Sequence, residues 1–283
     1  MVMNRNLEIF IKVAESGSIT RTAKTMYITQ PAVSNAISKL ETGLNVKLFY
    51  RDRHNGMILT EVGHKILLLA KQMEDLDNRI MQTAYKEQHF IEGRLRIASL
   101  TSLVSTILSK ALKQYRILFP GVSLEIREGT PNDIFRMVEE HDVDFAISCS
   151  PFGKFDPIPL IHDKMAAMLP KELPGLTAID FMNPSDLLII NRPAYETISD
   201  HIRQPLTAES FLLVETAETA INMVMDGIGT GILSEYTMDT LVPKYPKYPL
   251  TTDITFDIGI FANNMQDLTP AAQEFVHIIK QII

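Results

Sequence analysis

The chain has 283 residues, 46% of them hydrophobic, enough for two or three domains with buried cores. Its single cysteine, Cys149, excludes an intramolecular disulfide and a cysteine-based zinc cluster, and no apolar run approaches the roughly 20 residues that cross a bilayer. The net charge of −7 argues against a nucleic-acid partner only on average: residues 1–60 hold eight basic and four acidic side chains, a net +4 that leaves −11 for the rest. A basic head on an acidic body is the distribution expected of a protein that grips phosphate at one end.

From Met1 the chain passes into an amphipathic pattern with no apolar leader, which points to the cytoplasm. Leu7, Phe10, Ile11 and Ala14 mark a first helix over 4–16, with Gly17 where it would stop. Ser18 can cap a second helix carrying Ile19, Ala23 and Met26. Thr29 can cap a third that opens with Gln30-Pro31, proline being tolerated in a first turn. These two short helices meet across Tyr27-Ile28-Thr29. The third buries Val33, Ile37 and Leu40 and turns Gln30, Ser34, Asn35 and Ser38 elsewhere, so its outward face is polar and short-chained. Residues 46–50 read as a strand, Asn55-Gly56 as a tight hairpin turn and 57–59 as the returning strand. The charged tip is a wing, and 1–60 is expected to be a winged helix-turn-helix.

Thr60 caps a long helix over 61–91 whose apolar residues, Val62, Ile66, Leu69, Met73, Leu76 and Ile80, fall alternately four and three apart. A heptad seam sustained this long needs a partner surface, most simply the same helix of a second chain. Beyond Glu92-Gly93, strands over 94–98, 122–127 and 144–148 alternate with helices over 102–119 and 131–140. A second series follows, with strands at 165–169, 187–191, 211–215 and 231–233 and helices at 195–202, 219–226 and 235–241. A return strand over 255–262 and a closing helix over 270–283 complete the chain. The expectation is an α/β body with a largely parallel sheet covered on both faces.

The histidines show no close ligand pair, and no nucleophile stands with an acid and a base, so neither an enzyme nor a metal or other cofactor is expected. Gly227-Ile228-Gly229-Thr230-Gly231 lacks the GxGxxG spacing and precedes a strand, which makes it a helix-to-strand turn rather than a dinucleotide loop. Cys149 follows a strand at the cleft side and reads as a buried structural thiol, the alternative being an oxidant sensor, for which the chain offers no resolving cysteine.

The order and spacing of these motifs resemble the LysR-type transcriptional regulators along the whole chain. The resemblance rests on Ser16-Gly17-Ser18-Ile19-Thr20-Arg21-Thr22-Ala23, Thr29-Gln30-Pro31-Ala32-Val33-Ser34, Ile37, Leu40-Glu41, Leu48-Phe49, Arg51 and Leu59-Thr60-Glu61-Val62-Gly63. Weaker matches are Pro120-Gly121-Val122, Asp142-Val143-Asp144-Phe145-Ala146-Ile147 and the glycine run at 227–231. Two departures stand out: Thr22-Ala23 replaces paired alanines, and Asn45 replaces a glycine at a helix end. The resemblance implies a two-subdomain effector-binding domain of periplasmic-binding-protein type over 92–283, divided into about 92–161 with 266–283 and about 162–265. It also implies a homodimer or homotetramer on double-stranded operator DNA, a small-molecule effector and a contact with RNA polymerase. The alternative is a small-molecule-binding protein whose head serves protein contacts, which the basic head and the wing arginines oppose.

In a helix-turn-helix the first turns of the third helix meet base edges in the major groove. The candidate DNA residues are Thr29, Gln30, Pro31, Ser34, Asn35, Ser38 and Lys39, with Arg51, Arg53 and His54 of the wing for phosphate or the minor groove. Gln and Asn pair with adenine, and no arginine is present in the first turns for guanine, so the direct readout is expected to lean to A·T. For the effector, Ser99, Thr101, Ser102 and Thr130 on one side and Asn191 and Thr216 on the other occupy positions like the family's binding ones. They offer hydroxyls and amides with no lysine or arginine beyond Arg192 and Arg203, which suggests a small carboxylate or other anion rather than a polyanion.

Overall fold

Asn4 caps the first helix, α1 (Arg5–Ser16), by accepting the Asn6 N–H at 2.9 Å, and Gly17 ends it in the left-handed region. The computed structural model describes residues 4–52, 56–87, 91–199 and 210–283. Ser18 caps α2 (Ile19–Thr25), and Thr29 caps α3 (Gln30–Leu44) by accepting the Ala32 N–H. Asn45 closes α3 at φ 55°, tolerable for asparagine because its short side chain bonds locally. Strands β1 (Phe49–Asp52) and β2 (Gly56–Leu59) pair antiparallel, Phe49 opposite Leu59. The first strand starts three residues later than the sequence suggests. The Leu48 N–H goes to the Glu41 carboxylate and the Lys47 carbonyl to the Thr60 hydroxyl, so neither joins the ladder.

The long helix α4 (Glu61–Glu87) has 27 residues, a length of about 40 Å. Gly63 lets it pass the wing strand: a Cβ there would stand 2.3 Å from the Leu48 carbonyl oxygen. The head core gathers Phe10, Ile11, Val13, Val33 and Leu48, with Phe10 edge-on to Phe49 at 5.5 Å. The described residues fall into two compact units, and the first, ending at Gly93, also includes Glu140–Asp142. In that unit buried Lys71 reaches Asp142 at 2.6 Å, and His141 Nδ1 lies 2.8 Å from the Asp75 carboxylate.

The second unit holds Arg94–Glu139 and Val143–Ile283. After β3 (Gly93–Ser99) comes a helix in three parts: α5 (Thr101–Leu103), a π turn (Val104–Leu108) and α6 (Ser109–Leu118). The sequence suggests one uninterrupted helix. The hydroxyls of Thr106 and Ser109 each bond a carbonyl four residues back, a competition with the helical ladder that accompanies the π turn. Next come β4 (Val122–Glu128), α7 (Pro131–Glu139), β5 (Phe145–Cys149) and β6 (Ile158–Met168). They are followed by β7 (Leu188–Asn191), α8 (Arg192–Ser199), β8 (Phe211–Val214), α9 (Ala217–Met225) and β9 (Thr230–Ser234). The chain closes with α10 (Glu235–Leu241), β10 (Lys247–Pro249), β11 (Thr255–Phe261) and α11 (Pro270–Ile282).

The sheet runs β4-β3-β5-β11-β6-β9-β7-β8, with β10 on β6. Within each lobe the strands are parallel where β3 meets β5 and where β7 meets β8 and β9. The lobes are joined by antiparallel strands: β11 pairs with β5 and with the first half of β6, whose second half pairs with β9. Gly229 completes the turn into β9, where a Cβ would lie 2.2 Å from the Leu187 carbonyl oxygen. Tyr115 anchors α6 to α11 by donating its hydroxyl to the Ala271 carbonyl at 3.0 Å.

Candidate functional site

The outward face of α3 is set by what its other face buries. Val33, Ala36 and Ile37 enter the core, so Gln30, Pro31, Asn35, Ser38 and Lys39 stand exposed and Ser34 half-buried. At helical spacing, Gln30, Ser34 and Ser38 form one row and Pro31, Asn35 and Lys39 the adjacent one. Thr29 has its hydroxyl committed to the cap. Arg51 lies in β1 opposite Met57, whereas Arg53 and His54 lie outside the described residues.

Two polar residues brace this head in ways the sequence did not reveal. Glu41 accepts the N–H groups of Leu48 and Phe49 and the Lys47 ammonium at 2.6 Å. Burial opposes its charge, but these hydrogen bonds outweigh burial and hold its carboxyl below the usual range. Thr22, standing where an alanine was expected, is buried and donates its hydroxyl to the Lys12 carbonyl at 3.1 Å, 2.8 Å from the Ser16 hydroxyl. It therefore ties α2 to the last turns of α1.

On α4, Leu69, Met73, Leu76 and Ile80 are all about half exposed. Ile66 instead packs on the head core and Val62 is half-buried, so the outward seam is the C-terminal two-thirds of the expected one.

In the second unit two adjoining cavities share Ser102, Asn191, Pro193 and Ala217. The inner one lies between lobes: Leu100, Leu103 and Cys149 come from the first, Ala194, Thr197, Ser234 and Thr237 from the second, and Met165, Phe256 and Ile258 from the crossing strands. The outer one adds Thr101, Glu128, Thr130, Asp133, Arg192, Glu215 and Thr216. Of the expected effector residues, Thr101, Ser102, Thr130, Asn191 and Thr216 therefore meet at one cleft. Ser99 corrects the expectation: it is fully buried at the end of β3, its hydroxyl turns to the Leu100 carbonyl, and it lines neither cavity.

Several cleft groups are already engaged. Thr130 donates to Asp133 at 2.8 Å, and this bond with the Thr130 N–H holds the Asp133 carboxyl low. Thr216 caps α9 through the Thr219 N–H. Arg192 grips Glu215 at 2.7 and 2.9 Å, which neutralises the one cation lining the outer cavity among the described residues. Ser234 donates to Asp163 at 2.5 Å and accepts the Thr237 N–H. Burial pushes the Cys149 thiol up to about 11. Ser105 and Glu218, at 2.6 Å, join the two lobes. Thr197, Ser234 and Thr237 escaped the sequence reading, although Ser234, a hydroxyl cap between strand and helix, follows the rule that found Thr216. Among the described residues no His, Cys, Asp and Glu cluster could hold a metal ion, and no helix is long and apolar enough to cross a membrane.

A winged helix-turn-helix in one unit and a two-lobed α/β body with a cleft between its lobes in the other define a DNA-binding transcription regulator with an effector-binding domain. The chain belongs to the LysR family: residues 4–64 match the bacterial regulatory helix-turn-helix protein, lysR family, and residues 88–282 the LysR substrate binding domain. It is 37% identical to the uncharacterized HTH-type transcriptional regulator YoaU of Bacillus subtilis (strain 168), over 100% of both chains. It is 29% identical to the uncharacterized HTH-type transcriptional regulator YvbU of the same strain, over 98% of this chain and 97% of that one. Its fold is similar to that of a full-length OxyR point variant from Pseudomonas aeruginosa (TM-score 0.74, 18% identity, 99% of this chain and 94% of that chain). It is also similar to full-length CbnR complexed with its target DNA (TM-score 0.63, 18% identity, 99% and 100%).

Proposed function

We propose that this regulator reads operator DNA with the outward face of α3, dimerises through the exposed seam of α4, and is controlled by a small molecule seated in the cleft of 92–283. The observation that carries the reading is the outward face of α3: a short-chained polar surface, held rigid by a buried opposite face and by Glu41, in a segment of net positive charge. Gln30, Ser34 and Asn35 are assigned to base edges and Lys39, Arg51, Arg53 and His54 to phosphates or the minor groove. Leu69, Met73, Leu76 and Ile80 are assigned to the dimer seam, a homotetramer being the larger assembly this allows. RNA polymerase is the proposed protein partner and the cytoplasm the compartment.

The proposed effector is a small carboxylate or other anion held by hydroxyls and amides. Ser102, Asn191 and Thr197 support that reading. Glu128, Asp133 and Glu215 at the outer cavity narrow it to a compact monoanion, because a polyanion would meet three carboxylates and an arginine already paired. The test is calorimetry and thermal shift of the full chain with benzoate, with a dicarboxylate and with an uncharged amide of the same shape. Heat and stabilisation with the monoanion alone are expected. Binding of the amide but not of the monoanion would overturn the charge assignment.

A further inference from the structure

Among the described residues three that are not glycine sit on left-handed backbone: Tyr27 at φ 55°, Asn45 at 55° and His141 at 58°. Asparagine tolerates this region, and His141 gains a partner in Asp75. Tyr27 differs from both. Its N–H reaches the Lys24 carbonyl at 3.3 Å, and the next N–H, of Ile28, reaches the Ala23 carbonyl at 3.0 Å. This is a helix end at which glycine is the usual residue, as Gly17 is at the end of α1. A bulky side chain in this conformation is strained, and the ring is 95% exposed, so packing within the chain does not offset the strain.

Its position says what could. Tyr27 precedes the Thr29 cap of α3 by two residues, at most about 7 Å of chain. The major groove that receives such a helix is about 12 Å wide, so a residue this far from the helix start falls at the groove edge, where the phosphates are. Arg21 and Lys24 stand exposed on the preceding helix, α2, and make the approach basic.

We infer that Tyr27 is a DNA-contacting residue, its ring on the sugar–phosphate backbone beside the groove that takes α3 and its hydroxyl donating to a phosphate oxygen. This rests on the docking of α3 proposed above.

The test uses the full chain and a labelled mixed-sequence 30-base-pair duplex, titrated at several salt concentrations, with Tyr27→Gly and Tyr27→Phe beside the wild type. Tyr27→Gly should raise the melting temperature of the DNA-free protein and weaken duplex binding about tenfold. Tyr27→Phe should weaken it about threefold, and neither should change the salt slope by a full unit, because no charge is lost. Unchanged affinity in Tyr27→Gly, with the wild type bound and salt-sensitive, overturns the inference. So does a fall in both melting temperature and affinity, which would give Tyr27 a structural role. A wild type that does not bind the duplex at low salt would overturn the docking of α3 itself.

Discussion

Glu41 Oε1 accepts the backbone N–H of Leu48 at 2.9 Å, so the last turn of the helix assigned to base reading is fastened to the chain that enters the wing. Replacement by glutamine keeps the shape but loses the charge-assisted bonds to Lys47, Leu48 and Phe49. Glu41→Gln should destabilise the head by about 1–2 kcal/mol. The folded carboxyl titrates below its unfolded value, so its contribution is complete above about pH 4.3 and disappears as pH falls through the lower folded value. Urea unfolding between pH 3 and 7 should show a shallower acid loss in the variant. Equal acid profiles would remove Glu41 from the account.

Leu69→Glu with Leu76→Glu places two charges on the exposed seam of α4 without touching the head core. The double variant should sediment as a monomer where the wild type is at least a dimer. A variant that keeps its oligomeric state would move the interface elsewhere.

Gln30→Ala and Ser34→Ala should change which sequences are preferred in a binding-site selection, whereas Arg53→Ala should weaken every duplex alike and lower the salt slope by about one. If Gln30→Ala and Ser34→Ala both leave the selected motif intact, these residues do not read bases.

Cys149 lines the inner cavity yet is almost entirely buried, and burial lifts its thiol to about 11. At pH 7 the reactive thiolate is then on the order of one part in ten thousand. Ellman's reagent should therefore react slowly with the native protein and quickly after unfolding, and an occupied cleft should slow it further. Rapid stoichiometric reaction of the native protein would contradict the burial described.

The head was legible because its signals are local. Gly17, Ser18, Thr29 and Asn45 each act within a turn of their own position, and the seam of α4 is a periodicity. Glu41 was not legible, because nothing in an amphipathic pattern shows that a carboxylate on the buried edge has three donors waiting from the next segment. In the body, the first half of β6, residues 158–164, was missed. It contains Pro159, His162, Asp163 and Lys164, which hide any alternation, and it is a strand because β11 pairs with it. The cleft was half legible for the same reason: Thr101, Thr130, Asn191 and Thr216 stand at or just after strand ends and announce themselves, whereas Thr197 and Thr237 reach the cavity from helices.

The crossing strands have a consequence for the order in which the body can be built. The first lobe opens with β3 but needs β11 and α11, whose Phe261 packs on Phe135 and Phe155 and whose Phe275 packs on Tyr115 and Phe145. The second lobe's β7, β8 and β9 with α8, α9 and α10 are all made before β11. During synthesis, therefore, the lobe begun first is the lobe finished last, and no single stretch of the gene short of the whole body encodes it.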